Sequence, residues 1–106
     1  MAENYTLIPD LAELVSEIPL DSILSRTFFE ADNVKVIQFG FAQGQELSEH
    51  TASKPAILHF LTGEAEVTLG EDPIIAQEGT WIYMPANLAH RILAKTQVLM
   101  LLMLLG

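Results

Sequence analysis

Cysteine is absent from this 106-residue chain. That excludes a disulfide framework and a thiolate metal site, so a bound metal would have to rely on histidine, carboxylate, amide or water. Basic residues are scarce: five lysines and arginines stand against fourteen aspartates and glutamates, a formal net charge of -9. A surface of that sign repels phosphate backbones and anionic headgroups, which argues against nucleic acid and membrane partners. Long hydrophobic runs are also lacking. The most apolar stretch, V-L-M-L-L-M-L-L from Val98 to Leu105, is far shorter than the roughly twenty residues of a membrane helix. It reads instead as a strand buried on both faces, by the protein interior on one side and by another sheet or a partner subunit on the other. The opening segment M-A-E-N-Y-T-L-I-P-D has neither the basic flank nor the apolar run of a signal peptide, which predicts a cytoplasmic protein.

What is present fits one domain over residues 1–106, with half of the residues hydrophobic and glycine and proline as regular punctuation. Asp10 precedes L-A-E-L-V with Glu13 three residues on, a capping-box arrangement that predicts a short helix ending before Pro19. From Ser22 the pattern changes. I-L-S-R-T-F-F-E and V-K-V-I-Q-F-G-F-A, separated by the turn signal A-D-N, are rich in β-branched and aromatic residues and read as two strands. In E-A-E-V-T-L, Ala65, Val67 and Leu69 fall on one face and Glu64, Glu66 and Thr68 on the other. Turn signals at Gly44, Lys54-Pro55, Gly63, Gly70 to Pro73, Gly79 and Pro85 to Asn87 divide the rest into short strands, as expected of an all-β sandwich or barrel.

The histidines fall into this punctuation in a recognisable order. The stretch G-Q-E-L-S-E-H-T-A-S-K-P-A-I-L-H-F-L-T-G, residues 44–63, and the stretch G-T-W-I-Y-M-P-A-N-L-A-H-R-I-L-A, residues 79–94, resemble the two motifs of the cupin superfamily, in the small single-domain form. Gly44, His50 and Gly63 match the first motif, and Gly79, Pro85 and His90 match the second. Ala52 and Ala56 stand where the family has its second histidine and its glutamate, and Ala94 stands for a final asparagine. Asn87 replaces a glycine, which suits a turn needing positive φ. The resemblance implies an antiparallel double-stranded β-helix, the jelly-roll barrel, behind the short N-terminal helix. It also implies that His50 and His90 meet in the barrel mouth, where complete members hold one divalent transition metal such as zinc, iron, nickel, copper or manganese.

Two histidines are fewer than the three protein ligands usual at a catalytic metal centre. A substrate oxygen, water, His59 or Glu46 could complete the set, Glu46 sharing strand parity with His50 if that strand is regular, as does Ser48. By the same alternation His59 points away from the face shared by Ala56, Leu58 and Phe60, unless a β-bulge near Lys54-Pro55 reverses it. Losing a histidine and a glutamate to alanine enlarges the interior and makes it less polar. Ala52, Ala56, Leu58, Phe60, Ile82, Met84 and Ile92 are the candidate lining of a small-molecule pocket around His50 and His90. Trp81 and Tyr83, of opposite parity to Ile82 and Met84, are placed outside the barrel or at a dimer contact.

Three readings of function follow. The first is a barrel that binds a small, largely apolar molecule beside His50 and His90, metal-free or weakly metallated. The second is a metal-dependent enzyme of the dioxygenase, isomerase or lyase kinds that the resemblance brings with it. The third is a structural homodimer built on Val98 to Leu105. There is no G-x-S-x-G elbow and no phosphate-cradling glycine loop, and the family's barrel hosts too many chemistries to choose among the three.

Overall fold

A computed structural model describes residues 5–14 and 17–106. Nine strands follow one turn of 3-10 helix, Leu11–Leu14: β1 (Ile23–Ala31), β2 (Val34–Phe41), β3 (Glu46–His50), β4 (Ala56–Thr62), β5 (Ala65–Leu69), β6 (Asp72–Ala76), β7 (Trp81–Met84), β8 (His90–Ala94) and β9 (Val98–Leu105). They form two sheets, β1-β2-β9-β4-β7 and β3-β8-β5-β6, with every pairing antiparallel. Apart from the hairpins β1-β2 and β5-β6, consecutive strands cross between the sheets, as in a jelly roll.

Period-two alternation decides which side chains fill the space between the sheets. Ala56, Leu58 and Phe60 of β4, Ala65 and Val67 of β5, Ile82 and Met84 of β7, and Ile92 and Ala94 of β8 are all buried and belong to one core cluster. The apolar run Val98–Leu105 lies in the middle of the larger sheet, between β2 and β4. Its Leu101 is buried on the face away from that cluster, beside Gln38 and His59. The predicted A-D-N turn joins β1 to β2, and the glycine turns at Gly44, Gly63, Gly70 and Gly79 all have positive φ.

The N-terminal helix is the main correction to the sequence reading. Asp10 does cap it, its Oδ1 accepting a hydrogen bond from the Ala12 amide at 3.0 Å. The helix nevertheless lasts a single turn, and Glu17 and Ile18 are in no helix. Val15 and Ser16, over which it was expected to continue, lie outside the described residues. The physical reason is tertiary. The Leu11 carbonyl accepts from Gln38 Nε2 at 2.9 Å and the Leu14 carbonyl accepts from Arg26 at 3.4 Å, so both ends of the turn are tied to the sheet. Gly40 has no side chain to obstruct Ile18, which lies directly over it. The N-terminal segment thus covers part of the outer face of the larger sheet. No helix among the described residues is long and apolar enough to cross a membrane.

Candidate functional site

β3 and β8 place the two motif histidines side by side. His50 is paired with His90 across the strands, and their ring centroids are 4.2 Å apart with the planes tilted by 60°. The environments differ: His90 is buried at 5% exposure, whereas His50 is open to solvent. Each ring is held in the same way. His50 Nδ1 lies 3.0 Å from the Ser48 carbonyl and His90 Nδ1 lies 3.0 Å from the Leu88 carbonyl. A carbonyl oxygen only accepts, so each Nδ1 carries the proton and donates it. In the neutral ring this leaves the Nε2 lone pair free, and neither Nε2 has a hydrogen-bond partner among the described residues. Burial pushes the His90 imidazole below its ordinary pKa, the hydrogen bond to Leu88 raises it in part, and the neighbouring His50 charge lowers it further.

The other predicted positions divide into two groups. Ala56, Leu58, Phe60, Ile82, Met84 and Ile92 all face the interior and are buried in the core cluster, while Ala52 is half-buried in the loop before β4. His59 is half-buried on the opposite face of β4, in register with Trp81 and with Leu101. β4 is regular from Ala56 to Phe60 and its irregularity comes only after that, between Phe60 and Thr62, so the alternation expected for His59 holds. Trp81 and Tyr83 are exposed, as their parity requires.

Glu46 is where the expected parity fails. β3 pairs Glu46 with Leu93, Leu47 with Ile92 and His50 with His90, so it takes one extra residue between Leu47 and His50. That bulge reverses the alternation. Leu47 packs with the core beside Ile92, Glu46 is exposed on the outer side, and its carboxylate lies 3.3 Å from Arg91. Glu46 and His50 therefore do not share a face. A signal was present in the sequence: Leu47 is the one apolar residue of E-L-S-E-H, and it can turn inward together with His50 only if the strand is bulged. Leu69, opposite His90 on β5, was not singled out either, and it packs against the core beside the histidine.

The model of the cupin domain family matches residues 37–105, well over half of the chain. This protein belongs to the cupin family. Among solved structures it is similar to a cupin superfamily protein from Desulfitobacterium hafniense, at 28% identity over 99% of this chain and 94% of that one, with a TM-score of 0.84. It is also similar to a conserved protein of unknown function from Streptococcus pyogenes, at 30% identity over 100% of this chain and 90% of that one, with a TM-score of 0.83. A cupin 2 conserved barrel domain protein from Leptotrichia buccalis matches at 28% identity over 91% of this chain and 46% of that one, with a TM-score of 0.81. No curated protein matches the chain.

Many cupins hold a metal at this end of the barrel, so the donor set needs a test. Two imidazole nitrogens are available, alanine occupies both further ligand positions of the motif, and Glu46 is turned outward against Arg91. Among the described residues no group of three or more histidines and carboxylates could hold a metal ion. These residues do not fit a metal site made by the protein alone, which needs three or four protein ligands.

Proposed function

We propose that this cupin captures a small, largely apolar molecule at the histidine end of its barrel, metal-free or with a weakly held metal. The observation that carries this reading is the pair of adjacent imidazoles, each with Nδ1 committed to a backbone carbonyl and Nε2 free. They stand where the buried apolar side chains of β4, β7 and β8 give way to solvent. Two adjacent acceptors beside an apolar wall suit a ligand with a hydroxyl or amide donor on a hydrocarbon body. The lowered pKa of His90 keeps that ring neutral, and so an acceptor, near neutral pH.

The test is a histidine side-chain nitrogen NMR titration with small apolar alcohols, phenols and amides. Binding should move the Nε2 resonances of both His50 and His90 and be lost in His90→Ala. A panel that binds without disturbing either ring, or equally well to His90→Ala, contradicts the proposal.

The metal-dependent reading keeps one observation in its favour, since neutral imidazole Nε2 is a good ligand for zinc, copper, nickel or iron. It requires the bound molecule and water to supply the remaining ligands. Such a metal would be held weakly and would follow the ligand on and off.

A further inference from the structure

Four strands form the edges of the two sheets: β1 and β7 in one, β3 and β6 in the other. An edge strand carries unpaired backbone groups, and proteins blunt such edges with bulges, prolines or charges. β1 has a bulge between Thr27 and Phe29 and carries Arg26 and Glu30. β3 has its own bulge and carries Glu46 and Glu49. β6 begins with Asp72 and Pro73. β7 has none of these devices. Its sequence is Trp-Ile-Tyr-Met in unbroken register with β4, and its outward side chains, Trp81 and Tyr83, are 57% and 51% exposed.

The free backbone groups of β7 belong to those same two residues. Phe60 N donates to the Thr80 carbonyl at 2.9 Å. In an antiparallel ladder the hydrogen-bonded pairs recur at every second residue. The pairs Leu58–Ile82 and Ala56–Met84 therefore bond β7 to β4, and Trp81 and Tyr83 turn their N–H and C=O groups to the open edge. Among the described residues nothing bonds to that edge.

We propose that β7 pairs with β7 of a second copy of this chain, antiparallel, about a two-fold axis at Ile82. In that register Trp81 lies opposite the partner's Tyr83, and Tyr83 opposite the partner's Trp81. Both have the parity that puts aromatic rings on one face and free backbone groups at the shared edge, so the edge is complementary to itself, as a two-fold interface requires. Charge favours a second copy at this place. Two chains of -9 each repel, and an uncharged strand is a place where that repulsion is small. β7 carries no charge, and the nearby Glu78 falls opposite Ala86 in this register rather than opposite itself. His59 and Leu101 continue the row of Trp81 inward, and Ile57 and Met103 continue the row of Tyr83. Pairing joins these uncharged rows into one stripe and merges the larger sheets of both copies.

Sedimentation equilibrium over a dilution series, combined with amide hydrogen exchange, tests the pairing. The expected result is a species of twice the 11.7 kDa chain mass, in which the Trp81 and Tyr83 amides are protected. Tyr83→Lys should sediment as a folded monomer in which those two amides lose their protection. The chain has no cysteine, so Trp81→Cys and Tyr83→Cys can be mixed and mildly oxidised. Hydrogen-bonded partners sit about 5.5 Å apart at Cα, within disulfide range, and a cross-linked dimer should form in the mixture and not with either variant alone. A wild-type monomer at every concentration overturns the proposal. So does a dimer with fast-exchanging Trp81 and Tyr83 amides, or cross-linking by each variant alone.

Discussion

The two ends of the barrel interior are made of different materials on the same strands. At one end Ala94, Ala65 and Ala76 lie in a row across β8, β5 and β6, each with no exposed surface, and Phe41, Phe60 and Val98 are equally sealed. The chain is tied tightly there. Gly44 N donates to the Ala94 carbonyl, Ala94 N to the Gln45 carbonyl and Lys95 N to the Glu64 carbonyl, all within 2.9 Å. At the other end, four residues back along β8, His90 meets an exposed His50, and Ala52, Leu69, Leu88 and Leu104 are only half-buried. Three small side chains beside large aromatic ones give a close-packed end, since interiors tolerate few voids. Two imidazoles among half-buried leucines give an end with unused hydrogen-bonding capacity. Close packing is concentrated at the alanine end and unpartnered imidazole nitrogens at the histidine end.

The largest effect expected from this contrast comes from Phe60→Ala, which should cost about 3–5 kcal/mol in urea unfolding, because the sealed end cannot collapse around the cavity. His50→Ala, at an exposed position, should stay within about 0.5 kcal/mol. Comparable losses for the two would break the comparison. Ala65→Leu comes next, with about 1–3 kcal/mol lost to overpacking. If that variant is as stable as wild type, the alanine row is less tightly packed than described. Gly63→Ala belongs in the same range, at about 1–3 kcal/mol, because its φ is +89° and a Cβ there would run into the Gln97 carbonyl oxygen.

A pH series sharpens the contrast at the histidine end. His90 has a pKa lowered on folding, chiefly by burial, so the unfolded chain takes up a proton first as pH falls. The stability associated with a neutral His90 is fully present above its unfolded value of about 6.5 and is lost as pH falls from there towards the folded value. Between about pH 7.5 and pH 5.5 the urea midpoint of the wild type should therefore drop further than that of His90→Gln. Equal slopes would mean that His90 is not buried in solution. The smallest effect is expected at Asn87, which has a φ of 69°. Asn87→Gly should change stability by less than about 0.5 kcal/mol, because both residues accept that conformation.

Much of the fold could be read from the sequence because its strands obey local rules. Ala65, Val67 and Leu69 alternate with polar residues, Val98 to Leu105 is too short to span a membrane and reads as a buried strand, and the turns sit at glycine and proline. The N-terminal helix was overestimated because its length is set by Gln38 and Arg26, which lie far along the chain. Capping chemistry marks where a helix starts but not where a distant side chain stops it. The meeting of His50 and His90 could be read from motif spacing. The exclusion of Glu46 from that face could not be read by simple parity, since one extra residue in β3 reverses the alternation. Even so, the inward Leu47 carried the clue.

We propose that two imidazoles without further protein ligands serve a small molecule rather than a resident metal. Metal content by mass spectrometry tests it most directly, on tag-free protein grown with added zinc, iron, nickel, copper and manganese, beside His50→Ala and His90→Ala. The expected result is metal well below one ion per chain in the wild type. Near-stoichiometric metal in the wild type that both variants lose would contradict it.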